Sequence, residues 1–250
     1  MDKYTVITGA SSGIGYAAAK AFAKRGKNLI LIARRIEQLE QLKSEIGEIS
    51  DVKVVIISSD LSVIENVYDV YSRIKQYFVE TWVNNAGFGN YSPVGQQDLK
   101  KIENMINVNI TALTIFSSLY VRDYSNSSTT QLINISSAGG YTIVPNAVTY
   151  CAAKFYVSAF TEGLTRELSE NHSQLKAKVL APAATKTEFG KIASNTNSYD
   201  YNAHFKIYHS AEQMADFLLQ LYDSDHTVGK VDRNTFEFQM GEGQLLYAGK

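Results

Sequence analysis

Tyr150 and Lys154 are the two residues of this 250-residue sequence whose types and spacing most directly suggest chemistry. They are four positions apart in a helical segment, so their side chains project from one face about one turn apart. A free tyrosine, with a pKa of about 10, is a poor base at neutral pH, but a nearby ammonium stabilises the phenolate and lowers that pKa. The pair therefore predicts proton transfer. An aromatic core residue beside a solvated lysine is the alternative, and an isolated Tyr-x-x-x-Lys does not exclude it.

Further polar side chains support the interpretation of that pair as a site. Ser136 and Ser137 follow a short apolar stretch, where a hydroxyl could hydrogen-bond a substrate carbonyl oxygen, and we choose Ser137 of the two. Asn109 lies within a long helical segment, a costly place for an amide unless it has a partner, and it could anchor a water chain behind Lys154. Taken singly, the serines could be turn formers and Asn109 an ordinary buried amide. Their joint occurrence favours a catalytic site.

A glycine-rich turn directly follows the first apolar stretch. Residues 8–15 are Thr-Gly-Ala-Ser-Ser-Gly-Ile-Gly, and a helical pattern begins there at once. Glycines let the backbone turn sharply and let a pyrophosphate approach the exposed amides at the positive end of the helix. The turn predicts a dinucleotide cradle, with a glycine-rich turn that binds nothing as the alternative. Its candidate contacts are Gly9, Ser11, Ser12, Gly13, Ile14 and Gly15.

The elements that must position these residues alternate along the chain. Short β-branched, apolar stretches predict strands at residues 4–8, 28–33, 52–58, 81–84, 131–135 and 178–181. Helical periodicity occupies residues 14–24, 36–46, 63–78, 99–120 and 150–168. This alternation predicts βαβ units, hence an α/β fold with a doubly wound parallel sheet of the Rossmann type, and the length favours a single domain over residues 1–250. Ligands then gather at the carboxyl ends of the strands.

Composition limits the classes of function. Lys and Arg total 24 against 25 for Asp and Glu, so the net charge of -1 gives no field to attract a nucleic acid or an anionic membrane. The N-terminal residues lack the long apolar segment of a signal peptide and no stretch approaches membrane-spanning length, so we expect a cytoplasmic protein. Cys151 is the only cysteine, which excludes an intramolecular disulfide and a zinc site built from cysteines. The four histidines are scattered, so no metal is predicted.

Taken in order, the motifs resemble those of the short-chain dehydrogenase/reductase family in its common form of about this length. The resemblance covers nearly the whole chain. The residues that carry it are Thr8-Gly9-x-x-x-Gly13-x-Gly15, Asp60, Asn84-Asn85-Ala86-Gly87, Asn109, Ser137 and Tyr150-x-x-x-Lys154. Several ordered motifs at the family's spacing are a far more specific signal than any one of them alone.

The resemblance implies particular roles for these residues. Ser137 would bind the oxyanion and Tyr150 would be the acid, with hydride delivered from the nicotinamide. Tyr150 and Lys154 would also contact the cofactor, Lys154 at the nicotinamide ribose. The remaining implied contacts are Asp60 at the adenine with Leu61 next to it, Asn85, Ala86 and Gly87 at the cofactor floor, and Thr187 at the nicotinamide amide.

One departure from the family pattern follows the sixth predicted strand. Where the family usually has Pro-Gly, this chain has Pro182 and Ala183. Alanine resists the positive φ that glycine takes freely. The sequence therefore does not determine the backbone conformation of this segment near the nicotinamide amide.

The end of the second predicted strand bears on the choice of cofactor. In a fold that binds NAD(H), an acidic residue about 20 positions beyond the glycines accepts hydrogen bonds from the adenosine ribose. Ala33 takes that place here. Arg34 offers a planar cation able to hold a 2′-phosphate through paired, charge-assisted hydrogen bonds, and Arg35 could assist it or be a solvated residue of the next helix. We therefore expect NADP(H) rather than NAD(H), with a simple surface pair of arginines as the alternative.

The substrate and the assembly are less constrained. Residues 186–209 have no clear periodicity, and because a loop of that length is usually functional or disordered, we interpret it as a substrate loop. Aromatic residues that could line an apolar pocket, or equally pack the fold, are Tyr91, Tyr141, Phe189 and those in residues 199–208. The helical segments at residues 99–120 and 150–168 are apolar over more than one face, which, with the family resemblance, predicts a homotetramer or homodimer.

The expected function is the interconversion of a carbonyl and an alcohol on a small-molecule substrate of unspecified identity. A noncatalytic dinucleotide sensor is one alternative, although a sensor has no need for a positioned acid. An NAD(H)-preferring alcohol dehydrogenase is another. A sugar-nucleotide epimerase or dehydratase shares Tyr-x-x-x-Lys but uses an additional C-terminal substrate domain, which we do not expect here.

Overall fold

A mostly parallel, eight-stranded sheet forms the centre of the computed structural model, which describes residues 2–248. In chain order the strands are β1 Lys3–Thr8, β2 Asn28–Ala33, β3 Val54–Ser58, β4 Phe78–Asn84, β5 Gln131–Ile135, β6 Lys176–Ala181, β7 Thr185–Lys186, β8 His209–Ser210, β9 Val228–Val231 and β10 Phe238–Gly241. The large sheet has the order β10-β9-β6-β5-β4-β1-β2-β3, and β10 is its antiparallel strand. Strands β7 and β8 form a separate parallel pair.

Nine α-helices accompany the strands within the described residues. They are α1 Gly13–Lys24, α2 Ile36–Gly47, α3 Ile64–Ile74, α4 Leu99–Ile106, α5 Leu113–Tyr124, α6 Val148–Glu170, α7 Phe189–Ser194, α8 Tyr201–His204 and α9 Ala211–Asp223. A π-helical turn, Asn107–Ala112, joins α4 to α5, and Val94–Gln96 and Ala138–Gly140 are short 3₁₀ turns. No helix within residues 2–248 combines the length and the apolarity needed to cross a lipid bilayer.

Successive residues of the central strands face opposite layers of helices. Ile7 of β1 and Leu31 of β2 pack with α1, α2 and α9. Their neighbours Val6 and Ile30 pack with α3, α5 and α6 on the other face. Side chains alternate across a strand, so the continuous apolar stretches of β1 and β2 require a sheet that is covered on both faces.

The side of the sheet on which successive strands are added changes at β1. From β1 the chain proceeds outward through β2 to β3, then crosses to β4 on the other side of β1 and continues outward. The carboxyl ends of β1 and β4 therefore border a crevice, the usual place for a ligand in such sheets. The predicted doubly wound, Rossmann-type sheet is confirmed.

Short elements, β7, α7, α8 and β8, occupy the segment predicted to be a loop, and the structure departs from the predicted elements in three further places. The helix predicted at residues 63–78 ends at Ile74, because Phe78 already begins strand β4. The helix predicted at residues 99–120 is divided into α4 and α5 by the π-helical turn. The sequence patterns did not indicate α9, β9 or β10, although α9 begins with a complete capping box at Ser210 and Gln213.

Candidate active site

The residues predicted to act together lie along one large cavity at the carboxyl edge of the sheet. Its volume is about 1080 Å³. It extends from the glycine turn after β1, past the ends of β4 and β5, to the aromatic residues of α7 and α8. All the candidate cofactor and catalytic residues line it except Gly15 and Asn109, which contact lining residues instead.

The glycine turn has the shape of an anion cradle. Gly9 and Gly13 have φ values of 68° and 58°, in the left-handed region that other residues avoid. A Cβ on Gly9 would lie 2.7 Å from the Cα of Ala86, and one on Gly15 would collide with the side-chain nitrogen of Asn85. Gly15 therefore packs against Asn85 and does not line the cavity, and its cofactor contact stays a prediction. Helix α1 begins at Gly13, and its first-turn amides have no partner inside the helix, as an anion site requires.

Thr8 and Asn85 tie the floor of the cavity to this turn. The Thr8 hydroxyl oxygen accepts hydrogen bonds from the backbone N–H groups of Asn85 (3.0 Å) and Ala86 (2.9 Å). The side-chain amide of Asn85 donates back to the carbonyl oxygens of Thr8 (2.9 Å) and Gly9 (3.2 Å). These bonds hold the ends of β1 and β4 together. Asn85 thus positions the floor through its side chain, and Ala86 and Gly87 also line it.

The two arginines after β2 have different surroundings. Arg35 Nη2 donates hydrogen bonds to Glu188 Oε2 (2.8 Å) and to Ser11 Oγ (3.3 Å). Arg34 is exposed and lines the cavity, and its guanidinium forms no ion pair or side-chain hydrogen bond within residues 2–248. Arg34 is therefore the arginine whose donors are all available to a ligand.

Asp60 and Leu61 follow β3 and line the same end of the cavity. Oδ1 of Asp60 accepts hydrogen bonds from the backbone N–H of Ser62 (3.0 Å) and from its hydroxyl (2.9 Å). Leu61 is 5% exposed. The turn after β3 is thus fixed by Asp60, and an apolar surface lies beside it.

Tyr150 and Lys154 lie in the first two turns of α6, and both line the cavity although they are only 8% and 5% exposed. Nζ of Lys154 lies 6.0 Å from the centre of the Tyr150 ring. The same ammonium donates a hydrogen bond to the carbonyl oxygen of Ile135 (2.8 Å), the last residue of β5. The structure therefore brings the pair to one side of the helix, as the spacing predicts.

Burial dominates the ionisation of both groups. It raises the pKa of Tyr150 above the ordinary value for tyrosine, and the Ser137 hydroxyl acts in the opposite direction. It lowers the pKa of Lys154 to about 8. The sequence predicts a lowered pKa for Tyr150, and the structure differs because the phenol is enclosed against side chains such as Phe189. In the protein alone, Tyr150 is a protonated phenol at neutral pH.

The two serines after β5 have different partners. Ser136 Oγ bonds to the carbonyl oxygen of Lys154 (2.9 Å) and to Ser158 Oγ (2.8 Å), so it braces α6. Ser137 Oγ accepts a hydrogen bond from the backbone N–H of Gly139 (3.0 Å). Because that bond uses an acceptor position, the Ser137 hydroxyl can still donate its own proton. Ser137 is therefore better suited than Ser136 to bind a carbonyl oxygen.

Asn109 lies in the π-helical turn and is fully buried. Its Oδ1 accepts a hydrogen bond from the backbone N–H of Phe88 (3.1 Å), and its Nδ2 donates to the carbonyl oxygen of the same residue (2.9 Å). A Cβ on Gly87 would lie 3.0 Å from Asn109 Oδ1 and 3.5 Å from Lys154 Nζ. Asn109 thus holds the backbone at Gly87 and Phe88, next to Lys154. Its predicted water chain stays a prediction.

The segment after β6 packs against the glycine turn. Ala183, which replaces the family's glycine, does not have a positive φ, so the alanine is accommodated without strain. A Cβ on Gly13 would lie 3.1 Å from the methyl carbon of Thr187. The Thr187 hydroxyl oxygen also accepts a hydrogen bond from the backbone N–H of Phe189 (3.1 Å), where α7 begins. Thr187 therefore joins the turn to the predicted substrate loop.

Beyond Tyr150 the cavity wall is aromatic. The ring centre of Phe189 lies 5.2 Å from that of Tyr150 and 6.2 Å from that of Tyr91. Tyr141 lies outside the lining, and its hydroxyl donates to Glu162 Oε1 (2.6 Å), so this candidate is a packing residue. The aromatic candidates that do line the cavity are Tyr91, Phe189, Tyr199, Tyr201 and Phe205.

The sequence patterns did not indicate several lining residues, among them Arg233, Asn234 and Phe236 in the loop between β9 and β10. They reach the cavity because β9 pairs with β6, a strand whose carboxyl end borders the site. The one local signal is a turn in which Asp232 Oδ1 accepts hydrogen bonds from the backbone N–H groups of Asn234 (2.7 Å) and Thr235 (3.0 Å).

Fold and site together define a class of protein. A doubly wound sheet with a glycine cradle at its switch point and a buried Tyr-Lys pair farther along the same cavity is the arrangement of a dinucleotide-dependent α/β oxidoreductase. Within residues 2–248, no three His, Cys, Asp or Glu side chains are grouped so as to hold a metal ion.

Comparison with known proteins identifies the family within that class. A family model described as short chain dehydrogenase matches residues 3–198. Human dehydrogenase/reductase SDR family member 11 is 31% identical over 198 residues, which are 75% of this chain and 75% of the human protein. This chain belongs to the short-chain dehydrogenase family and is an oxidoreductase of that family. The resemblance inferred from the sequence motifs is confirmed.

Solved structures of similar proteins extend the match over most of the chain. A short-chain dehydrogenase from Sphingobium yanoikuyae in complex with NADPH is 28% identical, with a TM-score of 0.84 and coverage of 94% of this chain and 89% of that one. The bulky-bulky ketone specific alcohol dehydrogenase from Comamonas testosteroni is 26% identical, with a TM-score of 0.79 and coverage of 92% and 86%. These relatives share the overall fold described above.

Proposed function

We propose that this protein uses NADP(H) to interconvert a carbonyl and an alcohol on a small-molecule substrate, with Tyr150 transferring the proton. The observation that carries the proposal is the buried pair of Tyr150 and Lys154 in a cavity continuous with the glycine turn. A noncatalytic sensor would need the turn but would have no use for a proton donor enclosed beside a lysine.

The lining residues fit a nicotinamide dinucleotide. Gly9 and Gly13 form a positive-φ cradle at the N-terminus of α1, where a pyrophosphate is stabilised by backbone amides. When bound, the cofactor supplies or accepts the hydride. The NADPH complex of the Sphingobium yanoikuyae relative supports this assignment. The proposed contacts are Gly9, Ser11, Ser12, Gly13, Ile14, Arg34, Arg35, Asp60, Leu61, Ala86, Gly87, Tyr150, Lys154 and Thr187.

The preference for NADP(H) rests on the end of β2. Ala33 presents no carboxylate that would repel a 2′-phosphate, and Arg34 offers a guanidinium with no partner among the described residues. Arg35 divides its donors between Glu188 and Ser11. Arg34 is therefore assigned the larger part of the preference.

Tyr150 is suited to act as the acid in carbonyl reduction. The phenol is protonated at neutral pH in the protein alone. The Ser137 hydroxyl hydrogen-bonds the carbonyl oxygen while Tyr150 donates its proton to that oxygen. Positive charge on Lys154, 6.0 Å from the ring centre, stabilises the phenolate that remains. In alcohol oxidation the phenolate accepts the hydroxyl proton through the same contacts.

The test of the proposal is the substitution Tyr150→Phe, which removes one hydroxyl and retains the ring. General acid catalysis typically contributes ~10²–10⁴ in rate, so kcat should fall by that factor while NADPH affinity stays nearly unchanged. A panel of aldehydes, ketones and alcohols with both nicotinamide cofactors, followed by NADPH absorbance, supplies the substrate. Tyr156→Phe is the matched control, because Tyr156 lies on the same helix and its hydroxyl bonds to Thr114 Oγ1 (2.8 Å), outside the cavity.

Two outcomes would overturn parts of this assignment. Equal kcat values for Tyr150→Phe and the wild type would remove Tyr150 from the chemistry. Nucleotide binding by the wild type without turnover of any substrate in the panel would favour the noncatalytic sensor.

We also propose that the chain forms a single catalytic domain in a cytoplasmic homodimer or homotetramer, with residues 186–209 as its substrate loop. Aromatic residues of that segment line the cavity, which supports the loop assignment. An apolar side of α6 supports assembly, since Val148 is 46% exposed and the stacked rings of Tyr156 and Phe160 are only partly buried. Light scattering that reports a monomer at micromolar concentration would contradict the assembly.

A further inference from the structure

The two ends of the cavity differ in charge. The carboxylates that line it, Asp60 and Glu188, lie at the cofactor end, where Ser62 bonds to the first and Arg35 pairs with the second. Beyond Tyr150, on the aromatic side, the basic lining residues are His204, Lys206 and Arg233. Among the described residues, that side of the cavity therefore contains cations and no carboxylate.

Arg233 and Lys206 have no counter-ion in the described part of the chain. Neither forms an ion pair or a side-chain hydrogen bond within residues 2–248, and both are exposed. The adjacent carboxylate of Asp232 is used differently, because its Oδ1 accepts the backbone N–H groups of Asn234 and Thr235. The guanidinium of Arg233 thus reaches the cavity with its donors unused.

Arg233 and Tyr91 line the same cavity as the reacting groups. Burial raises the pKa of Tyr91, and the charge of Arg233 acts in the opposite direction, so the guanidinium lies within electrostatic range of that hydroxyl. The Tyr91 ring is 6.2 Å from Phe189, and Phe189 in turn packs 5.2 Å from Tyr150. A ligand that reaches from Tyr150 along this wall would therefore approach Arg233.

We propose that the carbonyl substrate carries a carboxylate on an apolar framework and that Arg233 binds this carboxylate. A planar guanidinium matches a carboxylate through two parallel, charge-assisted hydrogen bonds. A concave, apolar wall strengthens the field of the cations by excluding water. The phosphates of the dinucleotide do not compete for Arg233, because the glycine turn and Arg34 serve them at the other end. This inference rests on the proposed function, since it specifies the substrate of the same site.

The test uses pairs of ketones that differ only in charge, namely 4-acetylbenzoate and 4-oxo-4-phenylbutanoate with their methyl esters. Each is assayed for kcat/KM with NADPH in the wild type, Arg233→Gln and the control Arg73→Gln. Arg73 is a surface residue of α3 that pairs with Asp69 and does not line the cavity. Calorimetric titration of the same acids and esters into the protein with NADP⁺ present repeats the comparison without turnover.

We expect the wild type to favour the acid of at least one pair by roughly ten- to a hundredfold, the value of one charge-assisted contact. In Arg233→Gln the preference should disappear through a higher KM for the acid, with the ester unchanged, and added salt should reduce it in the wild type. Arg73→Gln should behave as the wild type does.

The outcomes separate this inference from the proposed function. Turnover of the esters as fast as the acids in every pair, with Arg233→Gln unchanged, would overturn the carboxylate site and leave the reductase intact. Calorimetric binding of acids no tighter than that of esters would overturn it as well. Absence of turnover for every ketone and alcohol in the wider panel, by contrast, would remove the proposed function itself.

Discussion

Lys154 and Lys178 are both buried lysines, yet the regions around them use the ammonium differently. They are 5% and 1% exposed, and burial lowers the pKa of each to about 8. Lys154 donates to one carbonyl within the described residues, that of Ile135. Lys178 extends from β6 to the end of α9 and donates to the carbonyl oxygens of Leu221 (2.9 Å), Tyr222 (3.1 Å) and Ser224 (2.6 Å).

The number of donors in use distinguishes a structural lysine from a candidate catalytic one. An ammonium has three donors. Lys178 uses all three on carbonyls at the C-terminal end of α9, where a positive charge is favoured. Ser224 also donates to the carbonyl of Leu221, whereas those of Tyr222 and Ser224 accept from Lys178 alone among the described residues. Lys154 has two donors beyond its bond to Ile135, and it lines the cavity, whereas Lys178 does not. Burial and a lowered pKa are common to both, so neither property identifies a site by itself.

The largest expected effect is that of Lys154→Met on catalysis. Loss of the charge that stabilises the phenolate should lower kcat/KM by ~10²–10⁴, and loss of the implied ribose contact should weaken NADPH binding. The free energy of unfolding should change little, because methionine fills a similar volume and a desolvated ammonium with one protein acceptor is costly to bury. Steady-state kinetics, NADPH titration and urea unfolding measure the three quantities. A variant in which only rate or only affinity falls would contradict the dual role.

Lys178→Met should give the opposite pattern. The carbonyls of Tyr222 and Ser224 lose their donor, while that of Leu221 keeps Ser224. Because a buried unsatisfied group costs about 1–3 kcal/mol, the free energy of unfolding should fall by about 2–4 kcal/mol. The folded fraction should retain its kcat/KM. Lys176→Met is the matched control on the same face of β6, since its ammonium bonds to the exposed Asp225 and exposed pairs contribute about 0–1 kcal/mol. Equal losses for Lys176→Met and Lys178→Met in urea unfolding would remove the distinction.

The pH dependence of stability sharpens the comparison further. The pKa of Lys154 is lowered from 10.5 to about 8 on folding, so between these values the unfolded chain binds more protons than the folded one, and stability rises with pH. We therefore subtract the free energy of unfolding of Lys154→Met from that of the wild type. This difference should rise by about 2 kcal/mol between pH 8 and pH 10. In reduction, kcat/KM of the wild type should fall over the same interval, because the ammonium is lost.

The free energy of unfolding of the wild type relative to Lys178→Met should rise by a similar amount over this interval, because the pKa of Lys178 is also lowered to about 8. Urea unfolding at a series of pH values measures both differences. A flat difference for Lys154 would show that its ammonium is not desolvated in the folded protein.

The sequence predicts the part of the site that depends on local motifs. The glycine turn, Ser137 and the pair of Tyr150 and Lys154 all lie at strand ends or on one helix face, so their neighbours in the chain determine where they go. Lys178 shows the limit of this reasoning. It falls within an apolar stretch that predicts a strand, and its role depends on three carbonyls more than forty residues away.

Contacts between distant segments account for the remaining differences. Arg233 reaches the cavity because β9 pairs with β6, a pairing that leaves no local pattern. Gly15 and Asn109 belong to recognisable motifs, but packing turns them toward Asn85 and Phe88 rather than toward the cavity. The pKa of Tyr150 is raised where the spacing predicts a lowered one, because enclosure is set by α7, which the sequence patterns treat as loop.

The smallest expected effect is on the preference for NADPH over NADH. It follows when the argument from unused donors is applied to the two arginines after β2. Arg34 forms no side-chain contact among residues 2–248, whereas Arg35 is bonded to Glu188 and Ser11. If unused donors mark ligand contacts, Arg34→Gln should lower the ratio of kcat/KM for NADPH over NADH by roughly tenfold, ~1.4 kcal/mol, and Arg35→Gln should lower it less.

The double variant Ala33→Asp with Arg34→Leu should invert the preference, because its new carboxylate repels a 2′-phosphate and can accept hydrogen bonds from the ribose. Glu188→Gln weakens the hold on Arg35 and should raise the ratio slightly, which a structural role for the Arg35 pair would not do. A wild type that prefers NADH, or an unchanged ratio in the double variant, would show that the end of β2 does not set the cofactor.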